Sequence, residues 1–318
     1  MNDKLDISVV IPLYNEEESL PELYTWIERV MSENGYAYEA IFVDDGSTDN
    51  SWNVIQELKK RSPHVRAIRF RRNYGKSPAL HCAFQKAKGD VVITMDADLQ
   101  DSPDEIPSLY KMIMEGSDLV SGWKKKRFDP LSKTLPTKLF NATARAVSGI
   151  KLHDFNCGLK AYRNAVVKNI EVYNDMHRYT PYLVKNAGYS RIKEKVVQHQ
   201  SRKYGKSKFG ISRFFNGYLD LLTLWFLSKF GKKPMHFFGL LGTLMFFIGL
   251  VSVIVVGAWK MYSMTHGMPY RLVTDSPYFY ISLTSMILGT QLFLVGFLGE
   301  LISRNSTERN DYKIDEEL

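Results

Sequence analysis

The stretch VVITMDADLQD, residues 91–101, sets an apolar run directly against a group of carboxylates. Val91 to Met95 has the composition of a fully buried strand, apolar and rich in β-branched residues. Asp96, Asp98 and Asp101 follow within six residues, with Gln100 between the last two. Repulsion among carboxylates this close is unfavourable unless a cation offsets it. If strand alternation continues past Met95, side chains at every second position point the same way, and Asp96, Asp98 and Gln100 form one oxygen-rich cluster. Such a cluster suits a hard cation, Mg2+ or Mn2+, which shares its shell readily with substrate phosphates. D-x-D alone is commonly a solvated turn; its place after a buried strand is what gives it meaning.

Outward from this stretch, strand and helix patterns alternate. Strands are expected at 7–12, 38–45, 65–70, 91–95 and 118–123. Amphipathic helices are expected between them: one ended by Gly35, one capped by Ser47, Thr48 or Asp49, one over about 76–88, and one opened by Pro103. This order predicts an α/β domain with a mostly parallel sheet and right-handed crossovers. Ligands of such sheets sit at the carboxyl ends of the strands. Three strands here end in polar loops, PLYNEEE, DDGSTD and DADLQD. No G-x-x-x-x-G-K-[ST] and no G-x-G-x-x-G after the first strand occur, so neither a P-loop nor a dinucleotide fingerprint is offered.

The 318 residues are 45% hydrophobic and 24% charged, a globular composition. The mean hydropathy of −0.22 conceals a division along the chain. Met235 to Trp259 is a run of 25 residues without Asp, Glu, Lys or Arg. As a helix it reaches ~37 Å, enough to cross a bilayer core of about 30 Å. A second such run covers 278–300, with only Glu300 charged. Glycines at 239, 242, 249 and 257 in the first, and at 289, 296 and 299 in the second, permit close helix approach and make self-association an expectation. Lys229, Lys232 and Lys233 precede the pair and Arg304, Arg309 and Lys313 follow it, so the positive-inside rule predicts cytoplasmic termini. The segment GISRFFNGYLDLLTLWFLSKFG, 210–231, has near-helical aromatic spacing and is expected to lie in the membrane interface. The expected organisation is a cytoplasmic catalytic domain at 1–209, a juxtamembrane helix at 210–233, a two-helix membrane region at 234–304 and a cytoplasmic tail at 305–318.

The net charge of +8 points to a polyanionic partner. Its excess lies next to the apolar runs, with eight Lys or Arg against one Asp between Arg202 and Lys233, which favours anionic lipid over nucleic acid. Cys82 and Cys157 stand far apart without metal-ligand spacing and read as core thiols of a reducing compartment. The N-terminus reaches an apolar strand within seven residues, so no cleaved signal is expected.

ISVVIPLYNEEESL, IFVDDGSTDNS and VVITMDADLQDSPDEIP together resemble glycosyltransferase family 2, whose nucleotide-sugar domain has the GT-A fold. HDFNCGLKAYRN (153–164) and SRKYGKSK (201–208) resemble its polyprenyl-phosphate hexosyltransferase branch. The resemblance implies a base and ribose wall of Pro12, Tyr14 and Glu16, with Val43, Asp44 and Asp45 beside it. It implies a metal held by Asp96, Asp98 and Gln100, with Ala97 on the nucleotide-sugar side. Lys124 falls where relatives often carry Arg, and is either a phosphate or sugar contact or, within KKKR, part of a solvated basic run or a membrane contact. Arg202 and Lys208 match a basic pair facing the phosphates, and Asp154 an acidic residue near the acceptor, either catalytic or a helix cap. The implied reaction moves a hexose with inversion from a nucleotide sugar, UDP-glucose before mannose, galactose or aminoarabinose donors, onto undecaprenyl or another polyprenyl phosphate at the bacterial inner membrane. Transfer to a lipid hydroxyl and an inactive nucleotide-binding anchor are the alternatives. A processive synthase is disfavoured because none of Trp26, Trp52, Trp123, Trp225 or Trp259 follows an Arg in a Q-x-x-R-W motif.

Overall fold

The computed structural model describes residues 5–125, 141–173, 175–201, 203, 204, 222, 223, 225, 226, 229–231, 233–269 and 271–305. They fall into two compact units, Met1–Leu222 and Thr223–Leu318. The expected phosphate residues Arg202 and Lys208, most of the interfacial segment and nearly all of the C-terminal tail lie outside the described residues.

The first unit is built on a seven-stranded sheet. Its strands are β1 (Ile7–Leu13), β2 (Tyr38–Asp44), β3 (Val65–Arg69), β4 (Val91–Thr94), β5 (Leu119–Trp123), β6 (Lys160–Arg163) and β7 (Ile192–Val196). They lie in the order β3-β2-β1-β4-β6-β5-β7. All run parallel except β6, which is antiparallel to both β4 and β5. The five strands expected from apolar runs are present; β6 and β7, short and studded with Lys, Arg and Glu, were not anticipated. β1 and β2 are buried at every position, as a central parallel sheet covered on both faces requires.

Helices α1 (Leu20–Asn34), α2 (Ser51–Arg61), α3 (Lys76–Lys86) and α4 (Ile106–Met114) connect the parallel strands. On α1, Leu20, Leu23, Tyr24, Ile27, Val30 and Met31 recur at helical spacing and are buried, each contributing about 1.5–3 kcal/mol relative to exposure. Gly35 ends α1 at φ 65°, returning its N–H to the carbonyls of Met31 and Ser32. The cap expected for α2 differs. Asn50 holds that position, whereas Ser47, Thr48 and Asp49 bond across to the loop after β1. Ser102 caps the turn Pro103–Glu105 that leads into α4. A helical stretch at 141–148 and the short helices α5 (Asn164–Lys168) and α6 (Thr180–Asn186) complete the described part of this unit.

In the second unit α7 (Pro234–Thr265) and α8 (Pro277–Asn305) are both long and apolar enough to cross a membrane. α7 extends beyond the expected end at Trp259. Their outward faces carry Leu240, Leu244, Ile254, Val255, Ile281 and Leu298, all exposed, as helices solvated by lipid would be. The glycines meet each other within the chain. A Cβ on Gly242 would stand 2.5 Å from the Gly289 carbonyl, and one on Gly249 would stand 2.6 Å from that of Ser282. Ser285 Oγ donates to the Met245 carbonyl across the same seam at 2.9 Å. The helix approach expected from the glycines is therefore intramolecular, and this seam gives no separate support to self-association.

Candidate active site

β2, β1 and β4 are neighbours, and the chain reverses its order at β1, so a crevice is expected where β1 and β4 end. Pro12 pairs in register with Val43, both buried. Tyr14 and Glu16 follow β1 half-buried, and Asp44 and Asp45 close β2. The two loops are sewn together. Asn15, at φ 56°, donates its N–H to Ser47 Oγ at 2.9 Å, and its Oδ1 accepts from Thr48 N–H at 2.8 Å. Glu16 N–H donates to Ser51 Oγ at 2.9 Å.

The paired aspartates have different tasks. Asp44 is fully buried, accepts from Ser47 N–H at 2.8 Å, and lies 3.5 Å from Arg69 Nε. The Arg69 guanidinium also sits 5.5 Å over the Trp52 ring. Asp45 turns the other way and accepts from the N–H groups of Tyr74 and Gly75 at 2.7 and 2.8 Å. Burial pushes its carboxyl above the usual range, against those two amides. Both Asp45 oxygens thus hold the loop that opens α3.

At the carboxyl end of β4 one expectation fails. The strand stops at Thr94, and Leu99 lies at φ 60°. Alternation therefore does not carry from Asp96 to Gln100; the two carboxylates and the amide lie on a tight turn with Ala97 and Leu99 buried beneath it. Asp98 Oδ1 accepts from Gln100 N–H at 3.2 Å. Gln100 also binds the later chain: its carbonyl accepts from Gln200 N–H at 3.0 Å, next to the bridge between Asp101 and His199.

The antiparallel β6 brings its first residue to this end of the sheet. Lys160 is paired with Thr94, and Thr94 Oγ1 donates to the Gly158 carbonyl at 2.8 Å. Gly158 faces the Asp96 carboxylate so closely that a Cβ there would stand 2.5 Å from Oδ2. The HDFNCGLK motif and the DADLQ turn thus form one wall.

The electrostatics of this wall contain cations that the motif reading did not single out. Lys76, the first residue of α3, forms an ion pair with Asp96. Burial alone would push the Asp96 carboxyl up, but the Lys76 and Lys124 ammonium groups hold it well below the usual range. Lys124 is not part of a solvated run. It is mostly buried, 2.7 Å from the fully buried Asp101, and despite burial the Asp101 charge holds its pKa above the ordinary value. Lys160 is buried, donates to the Cys157 carbonyl, and is pushed down by burial to about 8. His177 lies against Ser77, its Nδ1 3.1 Å from Ser77 Oγ, and burial with the Lys76 charge lowers its pKa well below the ordinary value. A lysine opening a helix, against the dipole, was the available signal.

Asp154 is buried rather than open to solvent. Its Oδ1 accepts from Asn156 N–H at 3.1 Å and its own N–H donates to Glu194 at 3.0 Å. His153, stacked on Trp123 with centroids 4.1 Å apart, binds the same Glu194 at 2.7 Å. Asp154 therefore opens a turn and caps no described helix.

Among the described residues no group of three or more His, Cys, Asp and Glu side chains forms a metal cluster. Asp96 and Asp98 with the Gln100 amide still fit a hard cation. All their donors are oxygen, and two carboxylates leave room for phosphate and water, as Mg2+ prefers. The space left by the missing Cβ of Gly158 keeps Asp96 at the rim of the site.

A doubly wound sheet with acidic loops at the carboxyl ends of adjacent strands places a ligand site at that end of the sheet. Residues 8–171 match the family described as glycosyl transferase family 2, and the chain belongs to it. The dodecaprenyl-phosphate galacturonate synthase of Rhizobium johnstonii is 33% identical, with 94% of this chain and 88% of that protein covered. The undecaprenyl-phosphate 4-deoxy-4-formamido-L-arabinose transferase of Shewanella sediminis is 34% identical, with 95% and 89% covered. Among solved structures, the glucosyl-3-phosphoglycerate synthase of Mycobacterium tuberculosis in complex with UDP superposes with a TM-score of 0.55 at 18% identity, covering 70% of this chain and 80% of that one. That likeness establishes the GT-A fold.

Proposed function

We propose that the protein is a membrane-anchored, inverting transferase that moves a sugar from a nucleotide sugar onto a polyprenyl phosphate. The observation that carries this reading is the reach of its similarity to named polyprenyl-phosphate sugar transferases, 94% and 95% of the chain, through both apolar helices. Glucose, expected from the two-span layout, has less behind it than another sugar, because these relatives are named for galacturonate and 4-deoxy-4-formamido-L-arabinose. Both termini would be cytoplasmic, on the side of the water-soluble donor.

The chemistry follows from charge. Asp96, Asp98 and Gln100 would hold Mg2+ or Mn2+, which when bound supplies positive charge to the leaving diphosphate. A polyprenyl phosphate has a second pKa near ~6 and is largely dianionic at neutral pH, so its oxygen attacks without a strong base. The buried Asp154 accordingly orients the 153–160 turn against the acceptor side rather than removing a proton. Lys76, with Arg202 and Lys208 from the basic segment, would offset repulsion between two anionic reactants.

The test incubates purified protein with undecaprenyl phosphate, Mn2+ or Mg2+ and labelled UDP- and GDP-sugars, including uronic acid and 4-amino-4-deoxy-pentose donors. Label should enter the organic phase, and Asp98→Ala should abolish it. Nucleotide binding without lipid labelling from any donor would refute the polyprenyl-phosphate acceptor.

A further inference from the structure

Two lysine–aspartate pairs stand in this site, and they differ in kind. Lys124 with Asp101 is enclosed, the side chains 12% and 0% exposed. Lys76 with Asp96 is open, at 31% and 34%, so its partners can separate without unfolding anything. We propose that Lys76 is a resident counter-ion which competes with the divalent cation for Asp96, so that the free protein binds the cation weakly and takes it up together with the diphosphate of its donor. The inference rests on the metal-assisted reading above.

Both ends of the pair are aimed. Gly75, at φ 98°, and Tyr74 are pinned by the two oxygens of Asp45, which fixes where α3 begins and hence where Lys76 stands. A cation at the start of a helix is disfavoured by the dipole, and Lys76 keeps that place opposite a carboxylate. On the other side, the missing Cβ of Gly158 lets Asp96 lie where the ammonium meets it. An ammonium held against the Asp96 carboxylate offsets its negative charge and repels a second cation brought to the same group. Any occupancy of the pair therefore weakens metal binding to the free protein by mass action. A diphosphate offers the displaced ammonium another anion, so cation and nucleotide bind with positive, reciprocal coupling.

Free Mn2+ is measured by electron paramagnetic resonance on the detergent-solubilised full chain, with and without UDP or GDP, for wild type, Lys76→Met, Lys76→Arg and Lys125→Met. Lys125 lies over the Trp123 ring, and its removal changes net charge equally without touching Asp96. Without nucleotide, Lys76→Met should bind Mn2+ about fivefold tighter or better, the scale of a partly exposed ion pair. It should also lose most of the nucleotide-induced gain in Mn2+ affinity, while Lys76→Arg stays near wild type. Unchanged Mn2+ affinity in a folded Lys76→Met, or an equal gain in Lys125→Met, overturns the proposal. If wild type binds no Mn2+ even with nucleotide, the metal-assisted reading falls, and the proposal with it; that result is distinct from the other two.

Discussion

Gly158→Ala tests whether the turn from β6 sets the position of Asp96. The new methyl would stand 2.5, 2.7 and 3.0 Å from Oδ2, Cγ and Oδ1 of that residue, whereas ordinary contact begins at 3.4 Å. All three atoms belong to one short side chain, so the carboxylate can retreat by about 1 Å while the backbone holds. An off-rotamer side chain costs about 0.5–1.5 kcal/mol, and the partly exposed pair with Lys76 adds about 1 kcal/mol. The domain should therefore fold, with a modest fall in Tm. Catalysis should suffer more, because a misplacement of about 1 Å costs on the order of 100-fold. Initial rates of sugar transfer to lipid and thermal melts by circular dichroism, for Gly158→Ala, Asp96→Ala and the double variant, separate the two effects. If Gly158 acts only through Asp96, adding Gly158→Ala to Asp96→Ala should cost no further stability. A folded Gly158→Ala with wild-type rate, or a full stability loss in the Asp96→Ala background, would refute the argument.

Asp45→Asn leaves one carbonyl oxygen for two backbone donors and turns an amide toward one of them; a loss of about 1–3 kcal/mol in chemical denaturation and faster hydrogen exchange at Tyr74 and Gly75 should follow. Lys160 has a folded pKa of about 8, below its ordinary 10.5, so between these values the unfolded chain binds more protons and stability should rise with pH. The burial penalty, about 3 kcal/mol below pH 8, disappears as pH passes through that window, and a Lys160→Met variant should show a flatter Tm–pH curve than wild type there. If the two curves run parallel, Lys160 is not the group responsible. Gly242→Leu would drive a side chain into the α8 backbone, where nothing yields cheaply; the two-helix unit should become protease-sensitive while nucleotide binding by Met1–Leu222 persists.

The sequence by itself determined the layout of this protein. The apolar runs that became β1, β2 and β4, the amphipathic helices between them and two charge-free segments are local patterns whose period or length already states their environment. The acidic loops were legible for the same reason, since charge after a buried strand needs an explanation. What the sequence left undecided were placements that depend on distant partners. β6 and β7 are too short and too charged to announce themselves, and only pairing with β4 and β5 makes them strands. The antiparallel run of β6 then sets Gly158 and Lys160 beside Asp96, more than 60 residues away in sequence. The turn at Leu99, the commitment of Asp45 to a third loop and the contrast between Lys76 and Lys124 were decided there too. A carboxylate's task depends on which donors reach it, and chain neighbours do not fix that: folding does.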